Sequence, residues 1–301
     1  MMNHEIPQNI WDVLKCPHCE ESLHRSNQVT SCKGCGSEYR HTASGSLDLR
    51  LLHQKTFQYD YKLGPPLTLQ PDFSFGVLEK KRNPDVDFSE INIPHHLSKE
   101  ILSHFPKAKS GNSLMLDLGC GNMIHREVCE NAGFKYVGLD YENDSVPILG
   151  DAHALPFKDE SFEFILSIAV LEHIRYPFVM MREAYRVLKE NGVIIGTAAF
   201  LEPFHGNSFY HHTHLGIYNT LREGGFNPLY ICPSKKWAGL DALASMVLFP
   251  MMPKVFSKLI VKPIQIIHRI WWRIGRYISS KASETTRLIK TTGAFTFIAR
   301  K

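Results

Sequence analysis

The sequence has no run of about 20 residues free of both charge and proline in its most apolar part, and a bilayer-spanning helix needs one. Pro250, Pro253 and Pro263, with interspersed Lys and Arg, interrupt the stretch that comes nearest. The first fifteen residues, MMNHEIPQNIWDVLK, lack the apolar core of a secretory signal, so a cytoplasmic location is the expectation. In a reducing compartment the seven cysteines do not build a disulfide framework, and their spacing is what matters. A third glycine is missing from the turn LDLGCGNM, where Met123 stands. Acid is nearly missing from positions 235 to 290, which hold only Asp241 and Glu284 against eleven Lys and Arg. That segment carries a net +9 in a chain of net +4, leaving the remainder at −5.

What is present begins with length: 301 residues at 44% hydrophobic content bury one full α/β core and leave about 100 to 150 residues for additions. LMLDL reads as a strand buried on both faces of a parallel sheet, and it stops on Gly119 and Gly121. The stretch from Ile124 to Asn131 then forms a helix whose N-terminus faces the turn. Strand, glycine turn and helix recur across α/β folds, so the acids that follow carry the argument. Asp140 ends a second strand, YVGLD, 19 residues past Gly121, where an acid hydrogen-bonds ribose hydroxyls. Asp151 ends a third element, placed to accept from an exocyclic amine, and FEFILS (162–167) is a fourth strand. With Asp117 of LMLDL, Asp140 and Asp151 put three acids at successive strand ends, the edge where open α/β sheets bind ligands.

The run LDLGCGN, VGLD, GDAHALPFKDESFEFILSIAVLEHI and EAYRVLKENGVII resembles the class I S-adenosylmethionine-dependent methyltransferases of the type 11-like kind, over about 111–234 plus the last strand. The resemblance implies a Rossmann-like seven-stranded sheet with S-adenosyl-L-methionine as cofactor. Asp117 and the backbone at Gly119 and Gly121 would hold its methionine end, Asp140 its ribose, and Asp151 with Ala152 its adenine. Cys120, Tyr141 and Ser167 belong to the same cofactor set. It also places the loop of Leu171, Glu172 and His173 near the sulfonium, which makes His173 a candidate to orient the acceptor or take its proton; the competing role is shaping the loop.

At the N-terminus CPHC and CKGC put Cys16, Cys19, Cys32 and Cys35 in a C-x2-C, twelve-residue, C-x2-C pattern that suits one tetrahedral structural Zn(2+). The segment resembles the zinc ribbons of the small partner subunit of tRNA methyltransferases and of some bacterial rRNA methyltransferases. His18, His24 and His41 are spare donors expected at the surface. The expected organisation is a ribbon over 1–50, a linker with a lid helix over 51–110, and a methyltransferase domain over 111–301 with an insertion at 235–292. In the linker, Ser98 caps a helix bearing Leu97, Ile101, Leu102 and Phe105, while Phe57, Tyr59, Tyr61, Phe73 and Phe75 line a pocket or pack on the sheet. A helix over Tyr176 to Lys189 ends before Gly192 and leads to a fifth strand, VIIGTAAF.

Past that strand, His205, His211, His212 and His214 are candidates for acceptor base, for a divalent-metal pair, or for packing and capping; His211, His212 and His214 join His173 as the catalytic candidates. The sixth strand, PLYICPS, pairs with the final GAFTFIARK, with Phe295, Phe297 and Ala299 on one face. The basic insertion between them mixes long aliphatics, Trp271, Trp272 and Tyr277 with cations, the make-up of an interfacial amphipathic helix. The expectation is therefore methyl transfer, at oxygen, to a small-molecule or lipid-linked acceptor, with peripheral attachment to an anionic membrane surface. Two readings compete: an rRNA or tRNA methyltransferase gripping RNA through ribbon and insertion, and a non-catalytic binding module that keeps the cofactor fold. The pattern leaves the oligomeric state open.

Overall fold

The computed structural model describes residues 6–26, 29–60, 73, 75–234, 238–279 and 282–301; Tyr61 and the start of the basic insertion at 235–237 lie outside them. Helix α1 (Gln8–Trp11) precedes three short antiparallel strands, β1 (Leu23–Arg25), β2 (Thr30–Cys32) and β3 (Glu38–Tyr39), then β4 (Leu47–Leu49). After the linker come α2 (Lys99–Leu102), β5 (Leu114–Leu118), α3 (Arg126–Asn131), β6 (Lys135–Asp140), β7 (Ile148–Gly150) and β8 (Phe162–Ile168). The rest is α4 (Pro177–Val187), β9 (Leu188–Ala199), α5 (His214–Glu223), β10 (Asn227–Pro233), α6 (Gly239–Leu243), α7 (Lys254–Ile278), α8 (Glu284–Thr291) and β11 (Ala294–Arg300).

The central sheet has the order β10-β11-β9-β8-β5-β6-β7-β4. Strand β11 runs antiparallel to β9 and β10, and every other neighbouring pair is parallel. Apolar side chains alternate between two cores, as the period of two in a strand requires. Leu114, Leu116 and Leu118 of β5 join the core on one face, and Met115 the core on the other. The last strand divides the same way: Phe295, Phe297 and Ala299 face one core, Ile298 the other. Chain order reverses between β5 and β8, and the carboxyl ends of strands at such a switch point form a crevice.

Strands β5 to β11 are the expected seven, and an eighth comes from the cysteine-rich segment. Strand β4 pairs in parallel with β7, Leu47 opposite Ile148 and Leu49 opposite Gly150. The junction continues through a bridge between Leu14 and Phe157, the Lys15 amide donating to the Pro156 carbonyl, and the Ser46 hydroxyl donating to the Asp144 carbonyl. Leu14, Cys16, Cys32, Tyr39, Leu47 and Leu49 lie in the same core as Leu116 and Phe162, so residues 6–49 share a hydrophobic interior with the sheet.

Three elements differ from expectation. Helix α4 stops at Val187, because Leu188 is already extended and pairs with Phe162, and the left-handed Asn191 (φ 61°) marks an irregularity before regular pairing resumes at Val193. Ser98 does cap α2 by accepting from the Ile101 amide, but the helix is one turn long. Its apolar residues are buried with Met115 and Phe164 against a sheet face, not over the crevice as a lid. Finally, α7 runs unbroken through Pro263, which forfeits a backbone hydrogen bond on an exposed surface where solvent can satisfy the freed carbonyl. With its charges, neither α7 nor any other described helix is long and apolar enough to cross a membrane.

Because β4 is built into the sheet, Leu49→Ala is expected to lower the unfolding free energy of the whole protein by about 2–5 kcal/mol. In a denaturant titration the main transition should shift as one; a new minor transition with the main one unmoved would mean that the first 50 residues fold separately.

Candidate active site

Strand β5 ends where Gly119 takes φ +75°, and a Cβ there would sit 2.4 Å from Val170 Cγ2. Only glycine satisfies both constraints. The Gly119 and Cys120 amides both donate to the Leu139 carbonyl, at 2.9 and 3.1 Å, which ties the turn to the end of β6. The Gly121 amide donates to Asp140 at 2.8 Å, and the other Asp140 oxygen accepts from the Glu142 and Asn143 amides at 3.0 Å each. Met123, at the missing third glycine, itself adopts φ +55°, so the turn keeps a left-handed residue there while the side chain packs near Cys120 and Tyr136.

Above this turn opens a cavity of about 1080 Å³. Gly119, Asp140, Tyr141, Asp151 and Ala152 line it, so five of the nine expected cofactor residues surround one space. The other four lie outside its lining. Asp117 is buried under the turn, accepting from the Tyr136 hydroxyl at 2.7 Å beside His125. Gly121 and Cys120 contribute backbone to the turn, and Ser167 is buried in β8. Asp151 is oriented by His153, whose backbone amide and ring Nδ1 both donate to its Oδ1, at 2.9 and 2.6 Å. The ring's Nε2 accepts from the Tyr176 amide. Burial opposes ionisation of Asp151, but these bonds outweigh it and hold the carboxyl below its ordinary range. The pairing of Asp151 with His153, two residues on in GDAH, escaped the sequence reading.

The linker reaches the same space through Leu51, Lys55 and Phe57. Of the linker aromatics, Phe57 lines the cavity, Tyr59 lies under the Arg182 guanidinium, and Phe73 and Phe75 pack on Tyr218 and His214.

At the far end, His173 lines the cavity together with Gly206, Asn207 and Ser208. Its ring meets that of His205 edge-on at 5.4 Å. Glu172 lies beside them, wholly buried, and burial pushes its carboxyl up to about 7. Burial also lowers the His173 imidazolium. Of the other candidates, His212 is buried and hydrogen-bonds the Leu171 carbonyl through Nε2; His214 opens α5 with its ring on Phe75 and Phe295; His211 points outward. None of those three lines the cavity. The contacts of His212 and His214 fix loops, which is why histidine-rich spacing alone did not separate them from His205.

Residues 116–196 match the methyltransferase-domain family model. An uncharacterized methyltransferase of Mycobacterium tuberculosis (strain H37Ra) is 31% identical over 107 residues, 31% of this chain and 42% of that protein. Residues 116–196 thus carry the sequence of a methyltransferase domain. The human mitochondrial arginine-hydroxylase NDUFAF5 is 29% identical over 130 residues, 38% of this chain and 36% of that protein. The chain thus spans about two fifths of the length of the curated relatives it matches. Among solved structures, a SAM-dependent methyltransferase from Archaeoglobus fulgidus aligns over 63% of this chain and 86% of its own, at 17% identity and TM-score 0.42. The [4+2]-cyclase SpnF aligns over 65% and 76%, at 18% and 0.42.

Against the methyltransferase domain sit the four N-terminal thiols. Cys16, Cys19, Cys32 and Cys35 bring their sulfurs within 4.8 Å of one another, with 3.3 Å between Cys19 and Cys32 and 3.7 Å between Cys16 and Cys35. Zinc–sulfur bonds of about 2.3 Å set tetrahedral thiolates ~3.8 Å apart, so the donor set fits such an ion. The residue after each C-x2-C pair, Glu20 at φ 69° and Gly36 at φ 73°, is left-handed and donates its amide back to the first cysteine's carbonyl, so the two knuckles share one backbone form. His18 is spent elsewhere: its Nε2 accepts from the Leu52 and His53 amides.

Gly119→Ala is expected to weaken S-adenosylhomocysteine binding by calorimetry at least tenfold. Gly121→Ala, with φ +51° but open space around the added methyl, is expected to cost only about 1–2 kcal/mol. Equal effects at the two positions would contradict the role of the Val170 contact. Cys32→Ser is expected to remove one equivalent of bound metal, read by elemental analysis, and to lower the melting temperature with it.

Proposed function

We propose that the protein is an S-adenosylmethionine-dependent methyltransferase that works at an anionic membrane surface on a small or lipid-linked acceptor, transferring the methyl group to oxygen. The observation that carries the membrane part of this reading is the three-way division of α7. One stripe, Ser257, Val261, Gln265, His268 and Trp272, is buried or half-buried, with α7 seated on α6 and the 244–248 turn; the Gln265 amide donates to Asp241. Lys258, Lys262, Arg269, Arg273 and Arg276 follow on an adjacent strip at spacings of four, seven, four and three. The outermost arc, including Phe256, Ile260, Ile267, Ile270, Trp271 and Ile274, is apolar and exposed, Ile267 and Trp271 to 67% and 68%. Covering such an arc with acyl chains is favourable by about 1.5–3 kcal/mol per fully buried large side chain, and each flanking cation adds about 1 kcal/mol at an anionic leaflet.

An RNA-gripping surface would present its cations outermost, whereas here aliphatics hold that position. The insertion also sits beside the acceptor end of the cavity. A Cβ on Gly239 would touch Leu201, and Glu202 has both His205 and Lys254 as opposing charges. A helix lying in the interface therefore brings that mouth to the lipid.

Methyl transfer from a sulfonium is an in-line displacement that relies on positioning and on a cationic leaving group. The cavity's cofactor end has the acids for ribose and adenine, and its far end has the His173 imidazole with His205 and the Glu172 carboxylate behind it, groups suited to a hydroxyl acceptor. In this reading the four thiolates hold a structural zinc that keeps β4 against the sheet.

The test is cosedimentation with phosphatidylserine-containing vesicles and, in parallel, with bulk RNA. Binding to vesicles is expected to persist at moderate salt and to fall at least tenfold in the variant Ile260→Glu, Ile267→Glu, Ile274→Glu, whose substitutions are all on the exposed arc. Radiolabel from S-adenosylmethionine is expected in the lipid extract. Salt-sensitive RNA binding without vesicle binding would replace this reading with RNA methylation, and cofactor binding without turnover on either would favour the binding module.

A further inference from the structure

The acceptor end of the cavity holds a feature that methyl transfer by positioning alone does not require. Glu172 is fully buried, and only the backbone amides of Glu172 and Ala199 approach its carboxylate oxygens, neither in full hydrogen-bonding geometry. A carboxylate in that position is costly unless a cation or a donor set accompanies it. One carboxylate oxygen of Glu172 and one ring nitrogen each of His173 and His205 lie within 4.8 Å of one another.

The two imidazoles are oriented as ligands are. His205 Nδ1 donates to the Pro203 carbonyl at 3.0 Å, which leaves the lone pair on Nε2. The His173 ring bonds to the Asn207 backbone, so it too is fixed through one nitrogen. Their planes are nearly perpendicular, which lets both aim at a common point instead of stacking. The loop carrying His205 is clamped to the Glu172 turn from below: the Phe209 and Tyr210 amides both donate to the Glu172 carbonyl, at 2.7 and 3.2 Å. Gly206, at φ +50°, turns that loop past His173.

We infer that Glu172, His173 and His205 form a site for a divalent first-row transition-metal ion at the acceptor end of the cavity. Two imidazoles and one carboxylate suit such ions and are unlike the four thiolates of the ribbon. Three protein ligands leave coordination positions free, and His173, Gly206 and Asn207 face the cavity. This inference rests on the O-methylation reading for its use. There, an acceptor hydroxyl bound to the ion releases its proton to water, the resulting oxyanion forms the new O–C bond, and the S–CH3 bond breaks with its electron pair passing to sulfur as neutral S-adenosylhomocysteine departs.

The test needs neither acceptor nor vesicle, so its outcome is independent of the membrane reading. Zinc-loaded full-length protein is titrated with Mn2+ and free Mn2+ is followed by electron paramagnetic resonance; the ribbon's thiolates do not compete for this hard ion. One equivalent is expected to bind below millimolar concentration, and Glu172→Gln and His205→Asn are each expected to weaken it at least tenfold. S-adenosylhomocysteine affinity and the ribbon zinc should stay unchanged in both variants. The site is refuted if wild-type protein binds no Mn2+, Co2+ or second Zn2+ at millimolar concentration, or if binding persists undiminished in both variants.

Discussion

The molecule's chemistry depends on one crowded junction where β5 gives way to the glycine turn. Gly119 has room for no side chain against Val170, and its amide and that of Cys120 converge on the single carbonyl of Leu139. The Gly121 amide then reaches Asp140, which spends its remaining oxygen on the amides that begin the next loop. Two adjacent strand ends are thereby locked in register by backbone donors that carry no net charge, and the crevice at the switch point stays open. Asp151 enters the same crevice from β7, set by His153, and His173 closes it from beyond β8.

The N-terminal segment supports this arrangement from the side. Its last strand extends the sheet next to β7, the strand that presents Asp151, and its cysteine knuckles share a core with β5. The chain leaving β4 then supplies Leu51, Lys55 and Phe57 to the cavity wall. A metal held by the four thiolates would therefore act on the cofactor crevice through one covalent path and one continuous hydrophobic interior, without touching the cofactor.

The insertion before β11 follows a different logic. Among the described residues, much of its apolar area is exposed: α7 seats one stripe and leaves a wider arc of Ile, Phe and Trp in solvent. Such exposure is costly in water and becomes favourable against an apolar phase. Its base contacts the loop of Leu201 and Glu202, which leads directly into His205 and the His173 end of the cavity.

The glycine turn, the strand-end acids, the four-cysteine spacing and the basic apolar insertion were all legible in the sequence, because each depends on local geometry or on a short periodicity. Left-handed backbone needs glycine at Gly119; buried parallel strands need runs such as LMLDL; a tetrahedral ion needs paired thiols. What depended on distant segments meeting was decided only by the tertiary structure. Leu47–Leu49 becomes part of the sheet because β7 offers an open parallel edge. Helix α2 turns into the core because its two apolar residues, Ile101 and Leu102, and the flanking Leu97 and Phe105 find Met115 and Phe164. Among histidines of similar spacing, His212 and His214 are consumed by a carbonyl and by aromatic rings, while His205 is carried across the Glu172 turn to His173. Sequence spacing specifies which residues a short element presents, and the folded chain determines which of them share a space.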